Sequence, residues 1–368
     1  MTNYDTQLDP NRTDLGDFLK VAACSAVMLQ TVLGLASKLA LPWAMQRSLI
    51  PVYDAVKFTA PAFIFGILFT TLRTTPLMSR REYGPYLQKQ WHALMMPTIL
   101  WTAVYLIFMP GQQQHTPYHS IATFNWQFIN GNAAPHLWYN TMMLQFIILM
   151  PLWLALSRWL NGHPQREIGV LIMLAVGFSW WLAVYDLSIF NGLHQHQWYL
   201  ADRLFISYLP YAILGISMWL FYEPMMRWLR RWWWGLLIVA IMAWLRANTE
   251  LRSFGAPVKL ANAPYLKPSI TIYALCMIGL ICVLADWCIR QQVRWLGIIH
   301  FLAIYAYRAF LGNVFWLVLL WQIERWLGWR DWIWIRIGVT AVVGWCLAFG
   351  FAVKGHRVVD GRRDSNLR

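Results

Sequence analysis

Charged residues are scarce in this chain of 368 residues, because Asp, Glu, Lys and Arg together make up only 12% of it. Soluble globular domains carry about 25% charged and about 45–50% apolar residues. Here the hydrophobic fraction is 59%, and the mean hydropathy is +0.43. Because so few charged residues cannot cover a surface that faces water, the composition excludes a soluble globular domain. It also excludes a disordered protein and a coiled coil.

Cysteine is also rare, and the familiar catalytic motifs are missing. The chain has no CxxC pair, no HExxH, no P-loop, no GxGxxG and no GxSxG. His194 and His196 have the spacing of a metal pair, but no third ligand is near them in sequence, so we expect no metal and no tightly bound cofactor. The five cysteines all fall in apolar runs, where inert buried thiols are expected: Cys24, Cys276, Cys282, Cys288 and Cys346.

Long apolar runs are abundant instead, and they predict an all-α, polytopic membrane helix bundle of about ten spans. A membrane helix needs about 20 apolar residues, whereas a membrane strand alternates over about ten. The seventh run is short, and we expect it to extend over Trp228, Arg230 and Arg231. The ten runs are Phe18–Ala36, Val56–Leu72, Trp91–Met109, His136–Leu156, Ile168–Tyr185, Leu204–Tyr222, Trp232–Leu245, Ile270–Ile289, Leu296–Ile323 and Trp332–Val353.

The basic residues predict the orientation and the partner. Lys and Arg exceed Asp and Glu by 30 to 16, but they punctuate the apolar runs and form no stripe, so we expect a lipid bilayer and no nucleic acid. Alternate loops carry eighteen and ten basic residues, which predicts a plasma-membrane protein with both termini cytoplasmic. Residues 1–353 would form one ten-span domain, and residues 354–368 a loosely ordered basic cytoplasmic tail.

Two loops are then predicted to lie outside the cell. Pro110–Pro135 contains no Lys or Arg, as an external position favours. Arg246–Lys267 is the longest basic segment on that side. It would either contact an anionic extracellular polymer or simply be solvated.

Ionisable residues inside the runs are the first functional candidates, because burying an unpaired charge in a bilayer is costly. Arg308 lies in the middle of the ninth run, and we expect it to need a carboxylate, a carbonyl cluster or a bound anion. The carboxylates available are those of Asp286, Glu223 and Asp186. Lys20, near the start of the first run, would either line a site or extend its amine to the interface.

A second group of candidates opens the fourth run, in the string GNAAPHLWYNTMMLQF from residue 131. His136 and Asn140 are four residues apart and share a helix face, with Trp138 between them. Such a cluster at the entrance to a span would bind a sugar or a polar head group. The alternative is that these are helix-capping and interface residues.

Five strings, in this order along the chain, carry a resemblance: GDFLKVAACSAVML, KFTAPAFIFGILFT, SRREYGPYLQKQWHALMMPTILWTAVYLI, PHLWYNTMMLQFIILMPLW and LGIIHFLAIYAYRAFL. With these five strings, the chain resembles acyltransferase family 3, a family of ten-span integral membrane acyltransferases. Within that family it is most similar to the branch of intercellular-adhesion protein C. The resemblance implies transfer of an acyl group, typically acetyl, from acyl-CoA to a surface polysaccharide or a lipid-linked glycan.

The resemblance also implies positions for the site. The family's basic residue in the first span falls on Lys20, and its catalytic histidine, eleven positions later, falls on Thr31 after Gln30. A late-span histidine of the family falls on Arg308, after Tyr305. The resemblance therefore assigns Thr31, Gln30 and Arg308 to catalytic positions, and we expect these three side chains and Tyr305 to surround one cavity.

The remaining expectations concern substrate and donor. We assign substrate binding to Lys20 and Tyr305, with His136, Trp138 and Asn140. The family's two donor-site arginines fall on Gln90 and Ala93, which cannot make charge-assisted contacts to phosphate. Two functions stay open: a membrane acyltransferase, or a catalytically inactive relative that binds, assembles or exports a surface polysaccharide. A small-solute transporter is weaker, because the sequence shows no inverted repeat.

Overall fold

The computed structural model describes residues 12–74, 80–195, 198–328 and 332–365, and the chain within them folds into a polytopic bundle of helices. The all-α prediction is therefore confirmed. The helices are α1 (Leu15–Ser37), α2 (Trp43–Ala55), α3 (Thr59–Thr74), α4 (Tyr83–Gln90), α5 (Met96–Phe108), α6 (Ile121–Asn130), α7 (Trp138–Ile148), α8 (Met150–Leu160), α9 (Pro164–Val184), α10 (Leu209–Leu220), α11 (Tyr222–Ser253), α12 (Pro268–Arg290), α13 (Leu296–Trp326) and α14 (Ile333–Ser365).

Length and hydropathy give seven helices in the described residues that can cross a membrane, and up to nine when each of two bent pairs counts as one span. The first pair, α7 and α8, bends by 57° and corresponds to the fourth predicted run. The second pair, which includes α10 and α11, bends by 109° and contains the sixth and seventh runs. As predicted, the seventh run is extended: α11 begins at Tyr222 and includes Trp228, Arg230 and Arg231.

Ion pairs gather at one end of the bundle, which we call the salt-bridge end. Here the start of α1 meets the end of α3 and the start of α13, and the start of α11 meets the end of α12. The pairs are Asp14–Arg73 at 2.8 Å, Asp17–His300 at 2.8 Å and Arg230–Asp286 at 2.9 Å. Charged groups at helix ends are less desolvated than groups in mid-span, so the charges are concentrated where burial costs least.

The opposite end, which we call the loop end, holds the connections formed by residues 109–137 and 254–267. Both connections line one cavity there, and the amide of Val258 donates to Gln46 of α2 at 2.9 Å. The two loops predicted to lie on one side of the membrane are therefore at one end of the bundle.

The second bent pair runs to the salt-bridge end and back again. Within α10, Trp219 packs edge-on against Phe69 near the end of α3, while Tyr208, just before α10, packs against Tyr265 at the loop end. Along α11, Arg230 pairs with Asp286 near the end of α12, and Glu250 accepts a hydrogen bond from Ser269 at the start of α12. The two arms thus run in opposite directions between the two ends.

Arg336 lies near the start of α14 and is fully buried. Its guanidinium lies 3.8 Å from the centre of the Trp321 ring and 3.4 Å from the Glu324 carboxylate, and it donates to the Trp321 carbonyl. Thr340 donates to the same carboxylate at 2.7 Å. This cluster joins α13 to α14. Beyond it, α14 remains helical to Ser365, so the predicted tail begins as an extension of that helix, and residues 366–368 lie outside the described part.

Candidate functional site

A break in the helical chain between α2 and α3 creates the candidate site. Residues 56–58 form a turn, so backbone carbonyls at the end of α2 lose their helical partners. The Tyr273 hydroxyl donates to the Ala55 carbonyl at 2.6 Å, and the Gln30 side chain donates to the Val56 carbonyl. Side chains from α1 and α12 therefore satisfy the carbonyls that the break exposes, which is the condition for irregular backbone at membrane depth.

Gln30 belongs to a ring of hydrogen bonds that fixes this break. Its amide nitrogen donates to the Thr59 hydroxyl at 3.2 Å, which lies 2.5 Å from the Tyr265 hydroxyl. The Tyr265 hydroxyl in turn donates to the Gln30 amide oxygen at 3.2 Å. Since every donor and acceptor in the ring is used, the role that the structure gives Gln30 is to hold α1, α3 and the 254–267 loop together.

A cavity of about 690 Å³, the main cavity, lies beside the break and extends to the loop end. Its lining within the described residues contains no Asp or Glu. Aromatic side chains form much of the wall, and amides and lysines supply the polar groups. The aromatic residues are Tyr53, Phe63, Trp138, Tyr139, Tyr265 and Phe310; the others include Gln30, Gln112, Gln113, Gln114, Lys38, Lys57 and Lys259.

Lys57 is the buried cation of the main cavity, and the sequence analysis missed it. Its side chain is 5% exposed, and its amine lies 3.8 Å from the ring centre of Tyr265 and 5.3 Å from that of Tyr53. It makes no hydrogen bond or ion pair within 4 Å with a described residue, although Asp54 and Asp202 interact with it electrostatically. The position of this lysine at the very start of the second apolar run was the available signal for a buried cation, but the sequence pattern is equally typical of a charge in a loop.

The cluster predicted at the start of the fourth run is assembled at this cavity. His136 and Trp138 line it, and Asn140 is buried one turn further on. The His136 Nε2 lies 3.1 Å from the Leu311 carbonyl, which can only accept, so Nε2 carries the proton and Nδ1 keeps its lone pair. Neither that Nδ1 nor the side-chain amide of Asn140 has a hydrogen-bond partner among the described residues.

Gly131 makes the approach to this cluster possible. It ends α6 with φ of 70°, a left-handed conformation that favours glycine. A side chain there would meet the backbone of Trp138 at 2.6 Å. The close contact brings the end of α6 against the start of α7, which places His136 and Trp138 at the cavity wall.

Thr31 lines the main cavity, as its family position implies, but its hydroxyl is already engaged. It donates to the Val27 carbonyl of its own helix at 3.0 Å. A threonine hydroxyl has no lone pair basic enough to take a proton from a sugar hydroxyl near neutral pH. The residue to which the resemblance assigned the base is therefore hydrogen-bonded within its own helix.

Arg308 and Tyr305 do not meet Gln30 and Thr31, because neither lines the main cavity. Arg308 shares a face of α13 with Phe301 and Ile304, which are 43% and 55% exposed on the bundle surface. The guanidinium is half-buried and has no hydrogen-bond or ion-pair partner in the described part of the chain. The expectation that these four side chains surround one cavity is not met, since the helix turns Arg308 toward the outside of the bundle.

The carboxylates expected near Arg308 are engaged elsewhere. Asp286 pairs with Arg230 and with Arg290, both at 2.9 Å. Glu223 pairs with Arg230 at 3.7 Å, and Asp186 accepts from Asn191 at 3.1 Å. None of them reaches Arg308, because the first two lie at the salt-bridge end and Asp186 follows α9.

Lys20 lies near the salt-bridge end, away from the main cavity. Its amine is 3.6 Å from Asp17. A separate cavity of about 410 Å³ at this end is lined by Arg12, Arg73 and Arg290, and the last two are already paired with Asp14 and Asp286. The resemblance places the two donor-site residues at Gln90 and Ala93. Gln90 is half-buried, Ala93 is exposed, and neither lines this cavity.

The histidine-pair motif yields no metal site in the described residues. Nowhere in that part of the chain do three His, Cys, Asp or Glu side chains gather closely enough to hold an ion. His194 stacks on Trp198 at 4.4 Å, and His196 lies outside the described residues.

Comparison with known proteins found no matching family model, curated protein or solved structure. The resemblance to acyltransferase family 3 therefore remains a proposal, and the geometry of the main cavity carries the functional argument.

Proposed function

We propose that the protein binds a hydroxyl-rich glycan in the main cavity, either a surface polysaccharide or its lipid-linked precursor, without transferring an acyl group to it. The observation that carries the proposal is the lining of the cavity, in which aromatic faces alternate with amides and no carboxylate is described. Aromatic faces accept the apolar faces of sugar rings, and amides hydrogen-bond to hydroxyl groups.

Unpaired polar atoms in the wall support a polar ligand. The His136 Nδ1 and the Tyr139 hydroxyl belong to lining residues, are buried and have no partner in the described chain. Leaving such a group unsatisfied costs about 1–3 kcal/mol, so water or a ligand normally pairs with it. A sugar hydroxyl both donates and accepts, and it would satisfy either atom.

Two observations support the absence of acyl transfer, one on the base for the acceptor hydroxyl and one on the cations for the donor phosphates. Thr31 and Gln30 are both hydrogen-bonded to the protein, and neither is a base. Of the three arginines that line the salt-bridge-end cavity, Arg73 and Arg290 are paired with carboxylates, so the phosphates of acyl-CoA would meet only Arg12 as a cation without an ion pair in the described chain. Family-level resemblance thus supports the architecture and the glycan more strongly than the chemistry.

Acyl transfer is the second candidate, and one observation favours it. The Leu311 carbonyl fixes the tautomer of His136 and leaves Nδ1 as a lone pair at the cavity wall. A backbone carbonyl that orients an imidazole is a common arrangement for a general base. On this reading His136 would activate a glycan hydroxyl for attack on the thioester of an acyl-CoA co-substrate.

One experiment separates the two functions. We expect the full-length protein in detergent to bind tetra-N-acetylchitotetraose by calorimetry and to leave acetyl-CoA intact when both are present. Trp138→Ala should weaken binding by about tenfold, because the loss of a stacked ring costs on the order of 1 kcal/mol or more. Trp228→Ala removes an exposed tryptophan of α11 outside the cavity lining and is the matched control.

The results that count against the proposal are specific. Acetyl-CoA turnover by the unmodified protein that is lost in His136→Gln would establish acyl transfer in its place. Equal effects of Trp138→Ala and Trp228→Ala would remove the main cavity as the binding site. Thr31→His should produce no turnover, since it adds a base without restoring contacts for the donor phosphates.

We further propose the orientation predicted from the loop charges, in the plasma membrane with both termini cytoplasmic and the loop end outside. The path of α10 and α11 supports the placement of both termini on one side, because α10 reaches the salt-bridge end and α11 leaves it for the loop end. In a Cys346→Ser background, Ser253→Cys at the loop end should react with a membrane-impermeant maleimide on intact cells. Gln291→Cys at the salt-bridge end should react only after permeabilisation, and the reverse pattern would refute the orientation. Both residues are exposed.

A further inference from the structure

A second polar cavity, the loop cavity, lies next to the main cavity at the loop end and has a volume of about 610 Å³. Residues 115–132 form most of it, with Gln195 and Tyr199 on the opposite side. Its lining within the described residues carries amides, a threonine pair, Trp126 and His115, and no Lys, Arg, Asp or Glu. Its volume falls in the range of about 300–1,000 Å³ that holds a small organic ligand.

The wall of the loop cavity contains buried acceptors that the described chain leaves unused. Gln127 and Asn132 are each 2% exposed. The amide nitrogen of Gln127 donates to the Thr116 carbonyl at 3.1 Å, and the amide nitrogen of Asn132 donates to the Tyr199 hydroxyl at 3.4 Å. Their amide oxygens have no partner. Two residues of the lining thus carry buried carbonyl acceptors without a partner in the described chain, and hydroxyl or N–H donors of a ligand are the groups that would pair with them.

His115 lines both cavities and is the wall between them. Its backbone has φ of 56°, which is uncommon for a residue with a side chain, and its ring lies 4.3 Å from that of Tyr199. Burial, and then the nearby positive charge of Arg203, lowers the pKa of His115, so its neutral form is favoured. The junction therefore presents two tilted aromatic rings, and the neutral form of the imidazole is the favoured one.

We propose that the loop cavity is a second subsite for the glycan of the main cavity, and that the ligand is therefore a chain of at least two sugar units that crosses the His115–Tyr199 stack. This inference rests on the proposed function. Its chemistry is specific: a sugar unit with hydroxyl or N-acetyl donors, and without a charge, occupies the loop cavity. The unit in the main cavity lies near Lys57 and is free to carry a negative charge.

The test is the dependence of affinity on chain length. N-acetylglucosamine and its linear dimer and tetramer are titrated into the full-length protein in detergent. A second subsite on the same molecule adds its binding at a high effective concentration, so the tetramer should bind at least about tenfold more tightly than the monomer. Trp126→Ala, which alters the wall of the loop cavity and not that of the main cavity, should remove most of that gain.

Trp228→Ala is again the matched control, because Trp126 and Trp228 are 44% and 55% exposed. Equal affinities for monomer and tetramer would overturn the second subsite and leave the proposed function intact. Equal effects of Trp126→Ala and Trp228→Ala on the tetramer would overturn it as well. Failure of every saccharide to bind would overturn both, and the two failures are thereby distinguishable.

Discussion

Arg336→Ala is expected to lower the free energy of unfolding by about 3–5 kcal/mol, the usual cost of removing one partner from a buried ion pair. The substitution leaves the Glu324 carboxylate among apolar side chains of α13 and α14, with Thr340 as its remaining hydrogen-bond donor. It also removes the contact of the guanidinium with the Trp321 ring and carbonyl. Thermal unfolding of the purified protein in detergent measures the loss.

Arg308→Ala is the matched control, since Arg308 is also an arginine in the middle of a predicted span. It is half-buried, makes no ion pair in the described chain and lies on the outer face of α13. Its removal should cost less than about 1 kcal/mol, as for most substitutions that leave no buried group unpaired. Similar losses for the two variants would contradict the burial argument.

A double variant guards against a protein that simply fails to fold. In Arg336→Met with Glu324→Gln, both charges are removed and the volumes are largely kept. It should be more stable than Arg336→Ala, because the stranded carboxylate causes most of the loss. If the double variant were less stable than Arg336→Ala, the loss of stability would come from altered packing and not from the stranded carboxylate.

Lys57→Met is expected to remove the preference of the main cavity for acidic sugars. The buried Lys57 amine lacks an ion-pair partner within 4 Å, and α3 begins two residues later, with its N-terminal amides near the cavity. A charge-assisted hydrogen bond contributes about 1.5–3 kcal/mol, which corresponds to about tenfold or more in affinity. The native protein should therefore bind tetragalacturonate at least about tenfold more tightly than its methyl ester, in which each carboxylate is replaced by an uncharged ester.

The comparison of the two probes is internal to each variant, so a general loss of stability does not imitate it. Lys38→Met is the control: Lys38 lines the same cavity but is exposed, and solvent screens its charge. It should leave most of the preference in place. A preference for the acid that survives in Lys57→Met, or an equal loss in both variants, would contradict a specific role for the buried amine.

Much of the architecture follows from local composition. The length and uniform hydropathy of the runs predict membrane helices, because a backbone in lipid must satisfy its own hydrogen bonds. The same reasoning extends the seventh run over Arg230 and Arg231, whose long side chains reach the end of the bundle. It also places the two cavity-forming loops together, since alternate connections of a helical bundle lie at the same end.

The site is less accessible to such reasoning. His136, Trp138 and Asn140 were predicted as a cluster because they are neighbours in sequence. Lys57 was overlooked, since its burial depends on Tyr265 from a distant loop. The break at residues 56–58 falls at the start of the second apolar run, and only the hydrogen bonds from Gln30 and Tyr273 show how its exposed carbonyls are satisfied.

The sequence by itself determined that this is a multi-pass helical membrane protein and which apolar runs become its helices, because the cost of burying charge and unpaired backbone is a local property of each run. The tertiary structure decided which intramembrane arginine is buried, since hydropathy gives the depth of Arg308 and Arg336 but not the direction that each helix turns them. It also decided where the cavities lie, because their walls combine side chains that meet only when α1, α3, α13 and the two loops pack together.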